Sequence, residues 1–313
     1  MGNKLIAIAW MGAVLGPLVA WWAWRWLRRR PRLRVAGLLL FAIAYVLGVW
    51  AFLVEPQLLV VRHVAIESPA WRGPPLRIGV LSDTHVSSPH VTPERVARTV
   101  ARLTRESPDV VVFLGDYAGS EEPAAVRAAA ERSAILRGVA ALGGARAPLG
   151  RVAVLGNHDW WYDGPAVETA LRRAGVTVLE NSAVRIARPG GGFWIAGLAD
   201  LDSRRAEPSA TVALAAVPSG EPVIVLTHWP DSWPQVPSRV ALTLAGHTHC
   251  GQVNLPILGR LVHASKASAR WGCGRYDEGG RILYVTGGLG TSILPVRFRA
   301  PPEIVIVTLS GRP

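Results

Sequence analysis

Two long apolar segments occupy the start of the chain, Leu5–Trp24 and Val35–Val54, and neither contains a charged residue. As a helix with a rise of about 1.5 Å per residue, each segment would span about 30 Å, the thickness of the hydrocarbon core of a bilayer. Indole rings crowd the end of the first segment, at Trp21, Trp22, Trp24 and Trp26. Because indoles favour the headgroup region, the pattern predicts a membrane anchor of two transmembrane helices over residues 1–54.

Basic residues separate the two apolar segments, with six arginines from Arg25 to Arg34. Cytoplasmic loops carry an excess of Lys and Arg, so we expect this loop in the cytoplasm and the rest of the chain outside the inner membrane of a bacterial cell. A cleaved signal peptide fits less well, since only Lys4 precedes the first apolar segment and the arginines follow it. A single helix followed by an interfacial segment stays open as a third reading.

The pattern changes after a connector rich in Pro and Gly, which we place at residues 55–75. From there to residue 313, short runs of Val, Ile and Leu alternate with stretches rich in Ala and Arg. Ten strands are predicted, at Leu76–Leu81, Val110–Leu114, Val152–Leu155, Val176–Leu179, Val184–Ala187, Phe193–Leu198, Val223–Thr227, Leu242–Ala245, Ile282–Thr286 and Ile304–Leu309. Four helices are predicted, at Pro93–Arg105, Pro123–Ala141, Pro165–Ala174 and Pro208–Ala216. This order predicts an α/β domain of two packed sheets flanked by helices.

The net charge of +12 resembles that of a nucleic-acid-binding protein, but its distribution does not. Seven of the charges lie in residues 1–54, which hold no acidic residue, and the other five are spread out. We see no basic stripe with interleaved aromatic residues, so we expect no nucleic-acid partner. The two cysteines, Cys250 and Cys273, are too few for a disulfide framework; one bridge or two free thiols are both open.

Five of the eight histidines fall in four short clusters, each just after a predicted strand. The clusters are Asp83-Thr84-His85, Gly115-Asp116, Gly156-Asn157-His158-Asp159, and His228 together with Gly246-His247-Thr248-His249. Taken singly, the first two are typical of surface turns and a lone His228 of a structural residue. A His inside the third turn is less common, and the two alternating imidazoles of the fourth indicate a metal site. Together they supply carboxylate, amide and imidazole donors, which two divalent cations require when one carboxylate bridges them. The seven candidate metal ligands are Asp83, His85, Asp116, Asn157, His228, His247 and His249.

The order of these motifs resembles the calcineurin-like metallophosphoesterases, from about Leu76 to the end of the chain. The stretch Gly246–Gln252 and the stretch Gly288–Ser292, followed by Arg297, are similar to a membrane-associated bacterial branch of that family. The resemblance implies a four-layer α/β/β/α sandwich, a cofactor of two divalent metal ions (Mn, Fe, Zn or Mg), and a catalytic His158 beside the leaving oxygen. It also implies that Asp83, His85 and His249 hold one metal, that Asn157, His228 and His247 hold the other, and that Asp116 bridges them.

The chain departs from the phosphoprotein phosphatases of that superfamily. Tyr117 stands where they have a second Asp that orients the catalytic histidine, which argues against a protein phosphatase. Asp159 is a conceivable substitute for it.

Cys250 replaces an expected glycine and would be a small filler or a soft metal ligand. Arg297 would contact a substrate phosphate or lie on the surface. The aromatic residues after two of the clusters would either line a groove or pack beneath the metal loops: Trp160, Trp161, Tyr162, Trp229 and Trp233.

The predicted activity is metal-dependent hydrolysis of a phosphoester or phosphoanhydride, in a phosphorylated small molecule or a lipid-linked substrate of the cell envelope. The membrane anchor favours a lipid-linked substrate, because it concentrates the enzyme where such molecules are. An alternative is a UDP-2,3-diacylglucosamine pyrophosphatase of lipid A synthesis, which would need the domain in the cytoplasm. A non-catalytic metal-binding membrane scaffold is the alternative of another class, but all the ligand positions are filled. The sequence does not predict an oligomeric state.

Overall fold

A computed structural model of the protein describes residues 2–119, 121–260 and 262–311. The chain begins with a helical hairpin, α1 (Gly2–Trp26) and α2 (Pro31–Val49). The two helices touch where Gly16 leaves room for the ring of Tyr45, whose hydroxyl donates a hydrogen bond to the carbonyl of Ala13 (2.6 Å). Both helices are long and apolar enough to cross a membrane, over Lys4–Arg29 and Pro31–Gln57.

The end of the hairpin is joined firmly to the rest of the molecule. After α2 the helix continues through a π-helical turn (Trp50–Val54) and a 3-10 turn (Glu55–Gln57). The buried guanidinium of Arg95 donates to the carbonyls of Pro56 (2.7 Å) and Leu58 (3.3 Å). The segment that follows is a strand of the first sheet, so residues 55–75 are not the separate connector that the Pro and Gly content suggested.

The first sheet has six strands in the order β1-β14-β2-β3-β4-β5. These are β1 (Val60–Ser68), β2 (Leu76–Leu81), β3 (Val110–Leu114), β4 (Arg151–Val154), β5 (Thr177–Val178) and β14 (Glu303–Gly311). Strands β2 to β5 are parallel, with Val80 opposite Val112 and Val112 opposite Val152. β14 runs antiparallel to β2 and parallel to β1. The carboxyl ends of β2, β3 and β4 therefore meet at one edge of the sheet.

The second sheet also has six strands, in the order β12-β13-β9-β8-β7-β6. These are β6 (Ser182–Ile186), β7 (Phe193–Gly197), β8 (Val223–Leu226), β9 (Leu242–Ala245), β12 (Gly274–Glu278) and β13 (Arg281–Val285). The four inner strands are parallel, and the two edge strands are antiparallel to their neighbours. A small hairpin, β10 (Asn254–Leu255) and β11 (Gly259–Arg260), lies between β9 and β12 along the chain.

The core lies between the two sheets, where Ile78, Val112, Ile195, Leu244 and Val305 are fully buried. Three helices cover the outer face of the first sheet: α3 (Pro93–Arg105), α4 (Ala129–Ala141) and α5 (Asn157–Arg173). The outer face of the second sheet is covered by the one-turn α6 (Ala210–Ala213) and a 3-10 turn (Pro230–Gln235). These four layers confirm the predicted α/β/β/α sandwich, preceded by two apolar helices.

The elements differ from the prediction where local pattern is weak. Strands β1 and β12 were not predicted, because both are edge strands that mix polar and apolar residues instead of forming an apolar run. The predicted helix over Pro165–Ala174 begins eight residues earlier, at Asn157, and bends at Asp163, where the backbone leaves the helical region. The site motif Gly156–Asp159 is therefore the start of a helix and not an isolated turn.

Candidate metal centre

The seven candidate ligands lie together at the carboxyl ends of five strands, and all are buried. Asp83 and His85 follow β2, Asp116 follows β3, Asn157 follows β4, His228 follows β8, and His247 and His249 follow β9. Because these strands are parallel within their sheets, their ends converge on one side of the sandwich. The structure thus brings together side chains that are up to 166 positions apart in the sequence.

One group of ligand atoms is formed by Asp83, His85 and His249, whose donor atoms lie within 4.8 Å of one another. The Nε2 atoms of the two histidines are 3.0 Å apart, and Nε2 of His249 is 3.5 Å from Oδ1 of Asp83. The carboxylate of Asp83 is held by the backbone N–H of His247, at 3.1 and 3.2 Å from its two oxygens. Two imidazoles and a carboxylate are a donor set that suits a divalent transition metal.

A second group is formed by Asp116, His228 and His247, again within 4.8 Å. The Oδ2 atom of Asp116 is 3.2 Å from Nε2 of His228 and 3.6 Å from Nε2 of His85, so this carboxylate faces both groups. The amide oxygen of Asn157 is 3.1 Å from the same Nε2 of His228. The amide oxygen thus adds a further donor atom at the second group.

Hydrogen bonding orients one of these imidazoles for coordination. Nδ1 of His228 donates to the carbonyl of Leu114 (2.7 Å), which in the neutral ring leaves the lone pair of Nε2 directed at Asp116 and Asn157. His247 is buried beneath the ring of Trp229, with the two ring centroids 3.5 Å apart. Neither ring nitrogen of His247 has a well-formed hydrogen bond to a described residue. Since buried polar atoms are normally satisfied, a bound cation fits this site.

The backbone at the ligand positions is unusual. Five of the seven ligands have left-handed φ angles: Asp83 (52°), His85 (44°), Asp116 (56°), His247 (68°) and His249 (49°). Such angles are uncommon for residues other than glycine and cluster at functional sites. Gly115, with φ of 93°, allows two of the loops to meet, because a side chain there would lie 2.6 Å from the backbone nitrogen of Gly156.

Burial and mutual charge set the protonation of the ligands. Burial, reinforced by neighbouring histidines, lowers the pKa of His85 and His249 well below the usual value and that of His247 to about 3. Burial lowers the pKa of His228 as well, but the charge of Asp116 outweighs it and raises that pKa to about 10. Three of the four imidazoles are therefore neutral donors in the metal-free protein, with no proton to displace.

The carboxylates respond to the same environment. Burial raises the pKa of Asp83 to about 7. Burial also disfavours ionisation of Asp116, but His228 and His158 outweigh it and hold the pKa of Asp116 well below its usual value. Asp116 is therefore ionised at neutral pH, and its position between the two groups concentrates negative charge where cations would gather.

His158, the predicted catalytic residue, lies against the ligands and forms a third group of possible donor atoms with His85 and Asp116, again within 4.8 Å. Its backbone N–H donates to Oδ1 of Asp116 (2.9 Å). Its ring stands edge-on to His85 and beside Trp161, with centroid distances of 4.6 Å in both cases. Nε2 is 3.4 Å from the hydroxyl oxygen of Ser292. The imidazole therefore faces the mouth of the site, where a substrate would enter.

Asp159 does not have the contacts expected of a residue that orients the catalytic histidine, because both of its carboxylate oxygens accept hydrogen bonds from backbone amides. Oδ1 accepts from the N–H groups of Tyr117 (2.9 Å) and Ala118 (3.0 Å), and Oδ2 accepts from that of Gly156 (3.0 Å). The carboxylate thus ties the loop that carries Asp116 to the start of α5. It supports the site instead of standing in for the Asp of the protein phosphatases.

Arg297 is fully buried, so it neither lies on the surface nor contacts a substrate, the two positions expected for it. Its guanidinium donates to the carbonyls of Gly287 (2.8 Å), Gly290 (3.0 Å) and Ala300 (2.7 Å). Nη2 also lies 3.3 Å from Nδ1 of His249. In the sequence, Arg297 is one of several arginines near the end of a basic chain. Only the fold shows that it supports the candidate ligand His249.

Cys250 and Cys273 form a disulfide, with Cα atoms 4.8 Å apart. Cys250 is therefore neither a filler nor a soft metal ligand. The bond joins the turn that carries His247 and His249 to the segment before β12. A second tie lies beside it, from the hydroxyl of Thr248 to the carbonyl of Gly272 (2.8 Å).

A cleft of about 760 Å³ opens beside the ligands. Trp161 and Trp229 line it, whereas Trp233 packs in the core, so the aromatic residues divide between the two roles considered for them. The apolar side of the cleft is lined by Val253, Val262, Ile293, Leu294 and Val296. A smaller, polar cleft of about 290 Å³ lies on the other side of His158, and its walls include Glu121 and Arg127.

The sequence is similar to known phosphoesterases over the whole of this site. The family model for calcineurin-like phosphoesterases matches residues 76–251, a range that contains all seven candidate ligands. The uncharacterized metallophosphoesterase YkuE of Bacillus subtilis is 32% identical over 238 residues, covering 75% of this chain and 79% of that protein. Phosphodiesterase YaeI of Escherichia coli is 30% identical over 243 residues, covering 75% and 82%. The UDP-2,3-diacylglucosamine pyrophosphatase LpxG of Chlamydia trachomatis is 26% identical over 320 residues, covering 83% and 92%.

Proposed function

Because the chain belongs to the calcineurin-like phosphoesterase family and is a phosphoester hydrolase, we propose that it cleaves a phosphoester or phosphoanhydride bond with two divalent metal ions. The observation that carries this proposal is the convergence of two buried donor groups on the shared carboxylate of Asp116. Asp83, His85 and His249 would hold one ion, and Asn157, His228 and His247 the other. Imidazole, amide and carboxylate donors suit Mn, Fe and Zn comparably, and Mg is a further candidate.

The chemistry follows from the charge on phosphate. When bound, the metal ions would neutralise phosphate oxygens and lower the pKa of a bound water, which supplies the nucleophile. His158 would donate a hydrogen bond or a proton to the leaving oxygen, since its ring lies beside His85 and Asp116 and lines both clefts. The stacked ring of Trp229 holds His247 in place, and the burial of the ligands excludes bulk water.

We further propose that the substrate is a lipid-linked phosphate of the cell envelope. Residues 1–54 would anchor the chain as a two-span hairpin, and residues 76–313, completed by β1, would form the catalytic unit. The similarity to LpxG, whose substrate is a nucleotide-linked lipid, supports an amphiphilic substrate. The six arginines between the helices favour a catalytic unit outside the inner membrane. The disulfide supports the same side, since such bonds persist in oxidising compartments.

The test uses full-length protein in detergent, stripped of metal and then given Mn²⁺. We expect the wild type to hydrolyse p-nitrophenyl phosphate or bis-p-nitrophenyl phosphate, and to bind two metal equivalents in elemental analysis. Asp116→Asn should lose both metal and turnover, with a fall in kcat on the order of 100-fold or more. His158→Ala should lose turnover while keeping its metal.

His63→Ala is the matched control. It also removes an imidazole, but from the exposed side of β1, where His63 pairs with Glu106 at the start of the loop before β3. Its turnover and metal content should equal those of the wild type. Absence of hydrolysis of both esters with Mn²⁺, Fe²⁺, Zn²⁺ and Mg²⁺ would refute the proposal, and full turnover in Asp116→Asn would refute the ligand assignment.

The similarity to LpxG supports a second candidate function, hydrolysis of UDP-2,3-diacylglucosamine. That molecule carries a nucleotide, so this reading requires the catalytic unit to face the cytoplasm. Release of UMP from the purified substrate, together with a cytoplasmic C-terminus in cells, would favour it over the envelope substrate. An extracytoplasmic C-terminus would exclude it as the cellular role.

A further inference from the structure

Three exposed apolar side chains line the cleft beside the ligands, Val262, Ile293 and Leu294. Two more, Ile257 and Leu258, lie in the β10–β11 hairpin, between the lining residues Val253 and Val262; we call these five residues the apolar rim. Ten large apolar side chains are exposed among the described residues from 55 to 311, and the rim holds five of them. A sixth, Trp161, lines the cleft. Single exposed apolar residues are ordinary, but their concentration on two segments that line one cleft indicates a contact surface.

The two segments of the rim are held to each other. The side chain of Gln252, just before β10, donates to the carbonyl of Ser292 (3.0 Å) and accepts from its N–H (2.7 Å). Ile257 and Ile293 both have left-handed φ angles, of 71° and 60°, which β-branched residues rarely adopt. The rim is therefore a built feature in which two loops are joined, with an isoleucine exposed on each.

The rim is continuous with the end of the membrane hairpin. The backbone N–H of Arg297 donates to the carbonyl of Ala51 (2.9 Å), and that of Ala300 donates to the carboxylate of Glu55 (2.7 Å). The same carboxylate accepts from the indole of Trp50 (2.6 Å), a side chain suited to the membrane interface. The segment that begins three residues after Leu294 is thus bonded to the point where the second helix leaves the bilayer.

The charge around the rim matches a bilayer surface. Residues 251–276 and 288–302 contain no acidic residue. They contain six basic residues, Arg260, Lys266, Arg270, Arg275, Arg297 and Arg299. Arg297 is buried, and Arg270 and Arg275 pair with Glu278 and Asp277 just beyond the first range, so Arg260, Lys266 and Arg299 are the three that would meet anionic headgroups. Anionic headgroups attract basic residues that lie within about a Debye length of the surface.

We infer that the apolar rim enters the interfacial region of the bilayer and that the cleft receives an acyl chain of a membrane lipid. The chain would enter between the two rim loops while the phosphate group reaches Asp116 and His158, and the smaller polar cleft would take the headgroup. This inference rests on the proposed function, since it assigns the substrate of the same site. A volume of about 760 Å³ lies within the range of clefts that bury an extended ligand.

The first test measures the depth of the rim. The native cysteines are bonded to each other, so Leu258→Cys or Ile293→Cys introduces one free thiol for a fluorescent label. Full-length protein is reconstituted in vesicles of phosphatidylcholine and phosphatidylglycerol. We expect lipids with a spin label on the acyl chain to quench both labels, and iodide in the water to leave them bright. Val212→Cys on α6, which is also apolar and exposed, should behave in the opposite way.

The second test measures recognition of the chain. Inhibition of bis-p-nitrophenyl phosphate hydrolysis is compared for butyl phosphate and dodecyl phosphate, both below the micellar range. Each methylene removed from water adds affinity, so dodecyl phosphate should inhibit at a concentration more than roughly tenfold lower. The double variant Val262→Ser/Leu294→Ser should bring this ratio close to one, and Val212→Ser should keep it.

The outcomes separate the two proposals. A wild type that hydrolyses neither p-nitrophenyl phosphate nor bis-p-nitrophenyl phosphate contradicts the proposed function, whatever the labels report. A wild type that hydrolyses the diester, with rim labels quenched by iodide and no dependence on chain length, contradicts the inference and leaves the hydrolase assignment standing.

Discussion

At the scale of single residues, the site depends on side chains that hold other side chains in place. Asp159 and Arg297 both bind backbone groups of the ligand loops, and neither is itself a candidate ligand. Five ligands with left-handed φ angles show why such support is needed. Each of these conformations costs on the order of 1 kcal/mol or more, and it persists only where the surroundings compensate for it.

Asp159→Asn tests this view of the ligand loops. Backbone N–H groups now donate to both oxygens of the Asp159 carboxylate, and the side-chain amide of Asn would turn its own NH₂ group toward one of them. We therefore expect the free energy of unfolding to fall by about 2 kcal/mol. The midpoint of thermal unfolding in detergent should drop by roughly 5 °C, and metal content should fall with it. Asp277→Asn, at an exposed ion pair with Arg275, is the control and should change neither.

A different outcome would assign Asp159 another role. If the variant kept its unfolding midpoint and its metal but lost turnover, Asp159 would act on His158, as the comparison with protein phosphatases first suggested.

At the scale of elements, the turn after β9 is held by two contacts with a distant segment of the chain. It carries His247 and His249, and the disulfide and the Thr248 hydrogen bond both tie it to the segment before β12. The bond closes a loop with a sequence separation of 23 residues. In the chain-entropy account, a loop of that length stabilises the folded state by about 3 kcal/mol.

We therefore expect reduction to loosen this turn. A phosphine reductant that does not bind metals strongly should lower the unfolding midpoint of the wild type by roughly 8 °C and weaken its retention of metal during dialysis. The double variant Cys250→Ser/Cys273→Ser should start at the lower midpoint and show no response to the reductant. If the wild type shows two free thiols before reduction, or if complete reduction leaves its midpoint unchanged, this account of the turn is wrong.

At the scale of the whole molecule, the anchor and the sandwich are joined by specific contacts and not by a flexible tether. Arg95 holds the carbonyls of Pro56 and Leu58, and β1 follows almost at once as an edge strand beside β14. The position of the ligands relative to the end of the second helix is therefore set by folded structure. With the hairpin in the bilayer, as proposed, the short reach from the second helix to the site favours a substrate that resides there.

The side of the membrane on which the sandwich lies can be measured directly. We expect both ends of the hairpin outside the cytoplasm. A C-terminal fusion to alkaline phosphatase should therefore be active in bacterial cells, and a C-terminal fusion to green fluorescent protein should not fluoresce. Replacing Arg28, Arg29, Arg30 and Arg32 by Gln should weaken or reverse this orientation. The opposite pattern in the unmodified chain would place the sandwich in the cytoplasm and support the pyrophosphatase reading.

The amino-acid sequence by itself determined the two apolar helices, most of the inner strands and the seven candidate ligands. These are features of local pattern: a twenty-residue apolar run, a short Val-rich run, or a polar cluster directly after a strand. Prediction failed for the edge strands β1 and β12, since pairing with a neighbour, and not an apolar run, makes them strands.

Only the tertiary structure decided which distant residues support the site and where it opens. Arg297 reaches the loop of His249, Cys250 bonds to Cys273, and Val262 comes to line one cleft with Ile293. None of these pairs is marked by spacing in the chain. They arise because the packing of two sheets brings loops from different strands to one edge, so these contacts form only when the whole domain is folded.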